Sequence, residues 1–162
     1  MNDGPGPRTL IAGVGYSNLR DASVGPVLVA DLQQAAWPAQ VEVHDYSFGA
    51  IDALHRLREG RYQRAIFLGS VQRGDAPGTI RRYRWQGGQD ERTVQERVAE
   101  AAQAVIDLEH TLIVASYFGA LPEETLVFEV EPEDVNFGAE LTPPVAVAVE
   151  QLRQEVGQLA AA

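Results

Sequence analysis

Cysteine is absent from all 162 residues, which removes disulfides, thiolate metal ligands and cysteine nucleophiles at once. That absence suits a reducing compartment, and a cytoplasmic protein is the expectation. No apolar run approaches the length of a membrane span, and Met1 to Pro7 is polar and rich in glycine and proline rather than signal-like. Positive charge is also scarce: 13 basic residues stand against 23 acidic ones, a formal net charge of −10. Nucleic acid is therefore a poor partner, because affinity for a phosphate backbone comes largely from basic side chains that release counterions. Arg81-Arg82-Tyr83-Arg84-Trp85 interleaves basic and aromatic residues, but a solvated edge strand guarded by charge accounts for it.

What is present is enough for one ordinary domain with a sizeable core, since 45% of the residues are hydrophobic. The reading is a disordered lead at 1–8, a single α/β domain at 9–158 and a tail at 159–162. Thr9 to Val14 is a short apolar run that ends in glycines, as a buried strand does before a tight turn. A helix follows from about Ser23, with Pro26 tolerated in its first turn and Val24, Val27, Leu28 and Leu32 inward. Val41 to Tyr46 alternates as a second strand, and Ser47 or Gly49 opens a helix carrying Ile51, Leu54 and Leu57 as far as Gly60. Ala65 to Val71 is continuously apolar, as a central parallel strand should be. After the Pro77-Gly78 turn, Thr79 to Trp85 is an edge strand. From Thr93, the residues Val94, Val98, Ala101, Val105, Leu108, Leu112 and Ala115 recur at steps of three and four, which predicts one long helix capped by Gly119. Thr125 to Val130 is a last strand. Thr142 then caps a final helix with Pro143 at its first position. Alternating strands and helices predict a three-layer sandwich: a mostly parallel twisted sheet, an antiparallel edge strand and helices on both faces.

Ligands of open α/β sheets collect at the carboxyl ends of the strands. Three segments converge there: the Gly13–Gly25 loop, the Asp45–Gly49 turn and the Gly69–Gly78 loop. Gly13-x-Gly15-x-x-Asn18 lacks the third glycine of a dinucleotide fingerprint, and a tight turn with positive φ explains its glycines. Asp45 ends a strand at the ligand edge, and three roles are open to it: metal ligand, base, or cap of the next helix. His44 must point to the opposite sheet face, so the two are not a local ligand pair. His55 and His110 lie on helices and read as surface or satisfied core residues.

In order and spacing these pieces resemble the hydrogenase maturation endopeptidases, which remove a C-terminal extension from the large subunit of nickel-iron hydrogenases. The resemblance runs from Leu10 to about Val156. It is carried by Gly13, Gly15, Asp21, Gly25 and Pro26 in the first loop, by Asp45, and by Ala76-Pro77-Gly78-Thr79. Further along it is carried by Gly119-Ala120-Leu121-Pro122, Glu131-Pro132, Gly138 and Leu141-Thr142-x-x-Val145. It implies a metal, the substrate's own nickel, held by the second acid of the first loop, the acid after strand two and a downstream histidine.

The departures fall mostly at the functional positions. The loop acid is Ala22, the asparagine after the second glycine is Tyr16, the acid usual at the end of strand three is Gly69, and the histidine falls near Ala104. His110 is six residues away, about 9 Å and some 240° around a helix. Asp45 alone is too few donors for nickel or zinc, which take about three or four. Asp21 is either a rescue ligand beside Asp45 or a residue that serves loop geometry or hydrogen bonding. The expected cleft therefore comprises Gly13, Gly15, Tyr16, Asp21, Ala22, Asp45 and Gly69, with Asp45 facing it, Tyr16 at its rim and no cofactor of the protein's own. Such a cleft would bind a hydrogenase large subunit or an accessory protein without cleaving it. The alternative is an active endopeptidase with a rearranged site that uses the substrate's nickel.

Overall fold

The computed structural model describes residues 6–87, 94–96, 98–99 and 107–161. Five strands form one sheet in the order β2-β1-β3-β5-β4. They are β1 (Thr9–Val14), β2 (Val41–Asp45), β3 (Arg64–Ser70), β4 (Ile80–Arg84) and β5 (Glu124–Val130). The first three and β5 run parallel, and β4 pairs antiparallel with β5 at one edge. The mostly parallel sheet with an antiparallel edge strand is thus the expected one.

Alternation along the strands sorts the core into two layers. On one face Ile11, Ile66, Leu68, Phe128 and Val130 pack with α1 (Val24–Leu32) and α4 (Pro143–Ala161). On the other, Leu10, Ala12, Ala65, Phe67 and Val127 pack with α2 (Ala50–Gly60) and α3 (Leu108–Tyr117). Strand order reverses at β1, because β2 lies on one side of it and β3 on the other. The crevice between the carboxyl ends of β1 and β3 is therefore the topological switch point, where open α/β sheets bind ligands.

Several local expectations are corrected. The single helix predicted from Thr93 to Ala115 is interrupted: Asp107 is extended, at φ −152° and ψ 136°, and its side chain accepts a hydrogen bond from the His110 backbone N–H as the N-cap of α3. Apolar spacing reports which face is buried, not that the backbone stays helical, so the periodicity ran across this break. Ala104 lies outside the described residues. Ile51 is 43% exposed, and the inner face of α2 is instead Ala50, Ala53, Leu54 and Leu57.

Thr142 stands at the N-cap position of α4 as expected, its carbonyl accepting from Ala146 N–H, while its hydroxyl donates to Asp21. The stretch read as a tail from 159 remains helical to Ala161, with Ala160 buried and the Leu159 carbonyl accepting from Arg64. At the other end Arg8, expected in the disordered lead, is held by Gln63, Gly60 and Glu42.

Candidate functional site

The loop after β1 comes first, because its glycines decide how closely β1 and α1 approach. A Cβ on Gly13 would lie 2.4 Å from the Gly25 carbonyl oxygen, and one on Gly25 would lie 2.4 Å from the Val14 nitrogen and oxygen. A Cβ on Gly15 would meet the Ala22 carbonyl oxygen at 2.3 Å. Close backbone approach is therefore what these glycines supply. The positive φ values expected of them sit instead at Asn18 (64°) and Arg20 (44°). The turn is closed by Tyr16 N–H donating to the Ala22 carbonyl.

Asp21 is fully buried and ties this loop to the segment after β5. Its carboxylate accepts from the backbone N–H of Glu133 (2.8 Å), Asp134 (3.0 Å) and Thr142 (2.8 Å), and from the Thr142 hydroxyl (2.7 Å). Burial alone would raise its pKa, but these hydrogen bonds to the charged form outweigh it and hold the group below the ordinary carboxylate value. The same two loops are laced by Arg20 N–H to the Gly138 carbonyl, Gly138 N–H to the Asn18 carbonyl and Asp21 N–H to the Asp134 carbonyl.

A cleft of about 370 Å³ opens at the switch point. The first loop lines it with Gly15, Tyr16, Leu19 and Ala22, and the end of β3 with Ser70, Val71 and Gln72. Asp107, Leu108 and Glu109 line it from the start of α3, and Pro132 and Val135 from the loop after β5. Of the residues expected there, Gly15, Tyr16 and Ala22 are brought together, with Tyr16 36% exposed. Gly13, Asp21, Asp45 and Gly69 are not part of the lining.

Asp45 closes a local turn, its Oδ1 accepting from Ser47 N–H at 3.0 Å. Ser47 Oγ in turn accepts from Gly15 N–H, so the second loop braces the first without entering the cleft. Gly49, not Asp45, occupies the cap position of α2. His44 lies beside Glu42, its Nε2 3.3 Å from Oε1, on the face opposite Asp45 as alternation requires. His55 is exposed and His110 is fully buried.

Gly69 stands behind the lining, and a Cβ there would meet the Val14 carbonyl oxygen at 2.9 Å and Leu108 Cδ2 at 3.1 Å. Leu108 is buried in the space beside it. The carboxylates that do line the cleft, Asp107 and Glu109, were missed from sequence. Asp107 was read as helix interior, although an aspartate just before an apolar helical run is a cap signal. Its carboxylate is engaged by His110 N–H, and Glu109 lies 3.8 Å from Arg73.

Arg73 also makes a bidentate pair with buried Glu129 on β5, and Glu131 accepts from the backbone of Arg73 and Gly74. Together these bonds dock the loop after β3 onto the end of β5. Near this network the Tyr83 phenol is pushed up to about 12 by burial and the adjacent Glu129 charge.

A divalent ion needs about three or four good donors. Asp21 spends both oxygens on the loop staple, Asp45 lies off the cleft, and Ala22 and Gly69 offer none. Among the described residues no three His, Asp or Glu side chains are gathered to hold a metal. This donor set does not fit a resident metal.

The sheet thus carries a switch-point cleft walled by a glycine loop that a buried aspartate staples to the segment after β5. The sequence profile of the hydrogenase maturation protease family matches residues 26–158, and the chain belongs to that family. Its fold is similar to hydrogenase 2 maturation peptidase from a Thaumarchaeota archaeon, at 26% identity over 94% of this chain and 97% of that one, with a TM-score of 0.66. The hydrogenase maturating endopeptidase HybD from E. coli matches with 24% identity and a TM-score of 0.69, covering 92% of this chain and 89% of its own. The [NiFe] hydrogenase maturation protease HycI from Thermococcus kodakarensis shares the fold at 12% identity and a TM-score of 0.66, over 95% and 92% of the two chains. No curated protein sequence matches this chain. No helix among the described residues is long and apolar enough to cross a membrane.

Proposed function

We propose that this chain binds a nickel-iron hydrogenase large subunit, or an accessory protein of its assembly, through the switch-point cleft and does not cut it. The observation that carries this reading is the back wall of the cleft. Ala22 lines it where the family resemblance calls for an acid, and the Cβ of any acid at position 69 would run into Val14 and Leu108. Cleavage by a polarising metal needs the ion fixed against the scissile carbonyl, and these residues supply no grip on it. Recognition needs only shape and contact, and an exposed tyrosine at the rim is a common interface anchor. The proposed setting is the cytoplasm, with nickel entering only as part of the bound substrate.

Cleavage is the competing reading, favoured by the family and by the carboxylates of Asp107 and Glu109 at the cleft. The two separate when the protein is incubated with nickel-loaded large-subunit precursor and the precursor is weighed by mass spectrometry. A stable complex with unchanged precursor mass is expected. Loss of the C-terminal extension that requires the protein, and that Asp45→Ala or Glu109→Gln abolishes, would overturn the proposal.

A further inference from the structure

The loop from 133 to 140 exposes apolar side chains while being held rigidly. Phe137 is 83% exposed and Val135 49% exposed. A large apolar side chain left in water forgoes about 1.5–3 kcal/mol of burial, so a loose loop would fold it away. This loop is not loose. Asp21 grips its start at Glu133 and Asp134 and, two residues past its end, Thr142. The isolated bridge between Leu19 and Gly138 fastens its middle. Asp134 Oδ1 accepts from both the backbone and side-chain nitrogens of Asn136, which sets the turn that presents Val135 and Phe137.

Apart from Arg20, which pairs with Asp134, the charge around this knob is acidic. Glu133 and Glu140 are exposed and make no ion pair among the described residues, whereas Asp134 is taken by Arg20 at 3.5 Å. Val135 belongs to the cleft wall, so the loop continues the cleft outward.

We infer that the 133–140 loop is a preorganised docking edge for an apolar segment of the bound protein that carries lysine or arginine. This rests on the binding reading above and names the surface and the chemistry of its partner. A loop already held in place loses little conformational entropy on association, and a central aromatic flanked by charge is how such edges concentrate affinity and set orientation.

The test is a titration of purified hydrogenase large-subunit precursor against the full-length protein and its variants, read by calorimetry. Phe137→Ser should weaken binding by about 30-fold, with an unchanged unfolding midpoint because the side chain is exposed. Val147→Ser, at a residue also well exposed but on α4, should leave binding unchanged. Glu133→Gln with Glu140→Gln should weaken binding at low salt and flatten its salt dependence. Precursor bound as well by Phe137→Ser as by wild type would overturn the docking edge while sparing the binding proposal. So would equal loss in Phe137→Ser and Val147→Ser. Unchanged salt dependence in the double variant would overturn the basic character of the partner segment. No binding by the wild-type protein would overturn the large-subunit reading and this occupant together.

Discussion

Replacing Asp21 should unpick the first loop from the segment after β5. The carboxylate is fully buried and accepts hydrogen bonds from three backbone N–H groups and one hydroxyl, at 2.7 to 3.0 Å. Each hydrogen bond to a charged group contributes about 1.5–3 kcal/mol. The four share one acceptor and do not add, and water can reach part of the loop once it loosens. Asp21→Ala should therefore cost about 3–5 kcal/mol, a large share of the roughly 5–15 kcal/mol that stabilises an ordinary domain. Asp21→Asn keeps one accepting oxygen but turns an NH₂ toward donors, and should fall between.

The pH dependence has a definite sign. Asp21 has a native pKa below the ordinary carboxylate value of about 3.9. Its contribution is fully present above that unfolded value and is lost as pH falls through the lower native one, because there the unfolded chain takes up the proton first. Urea unfolding of wild type and Asp21→Asn, at neutral pH and at steps down through the acid range, measures both effects. The variant should show a shallower loss of stability in acid. A destabilisation of Asp21→Ala below about 1 kcal/mol, or identical acid slopes for wild type and Asp21→Asn, would refute the staple. The rescue-ligand role makes a separate demand: nickel binding by the wild type that Asp21→Asn abolishes without loss of stability.

Gly69→Asp should destabilise by about 1–3 kcal/mol through contact with Val14 and Leu108. Combined with Leu108→Ala it should cost less than the sum of the two, a coupling visible in a double-mutant cycle of urea midpoints. Ala22→Glu places a carboxylate at a half-buried position on the cleft wall and should change stability by less than about 1 kcal/mol. Calorimetric titration of Ala22→Glu with nickel chloride should still show no tight site, since a second donor at 69 is sterically barred. Arg73→Ala should cost roughly 3 kcal/mol in urea unfolding, the low end for a broken buried pair, because Glu129 is 2% exposed while Arg73 is 30% exposed. Absorbance titration should find the Tyr83 phenol still protonated well above pH 10, a late step that Tyr83→Phe removes.

The sheet was legible because its strands are short apolar or alternating runs bounded by glycine and proline, and these patterns are local. Helix continuity was not. The apolar spacing from Val94 to Ala115 continues across Asp107, and only the cap itself shows that a new helix begins there. The glycines of the first loop were found but misassigned, because a glycine needed for close approach looks in sequence like one needed for positive φ. The staple was out of reach for a stronger reason. Asp21 meets partners 112 to 121 residues away, and no spacing rule connects them. Asp45 was overvalued on the same grounds: the end of a strand at the ligand edge locates a residue but not the direction of its carboxylate, which turned to Ser47.

Asp21 and Ala22 are neighbours in one short 3-10 turn, Arg20–Ser23, yet they do unrelated work. The turn is held by the Asp21 carboxylate and by backbone groups, including the Ala22 carbonyl that receives Tyr16 N–H. The side chain at 22 takes no part in those hydrogen bonds. Loss of a donor at that position is therefore expected to leave the loop, and the 133–140 segment that Asp21 fastens beside it, in place. Under the proposed function, geometry for recognition and ligands for chemistry sit on separate residues of the same turn. That separation would allow a member of this family to keep the first after giving up the second.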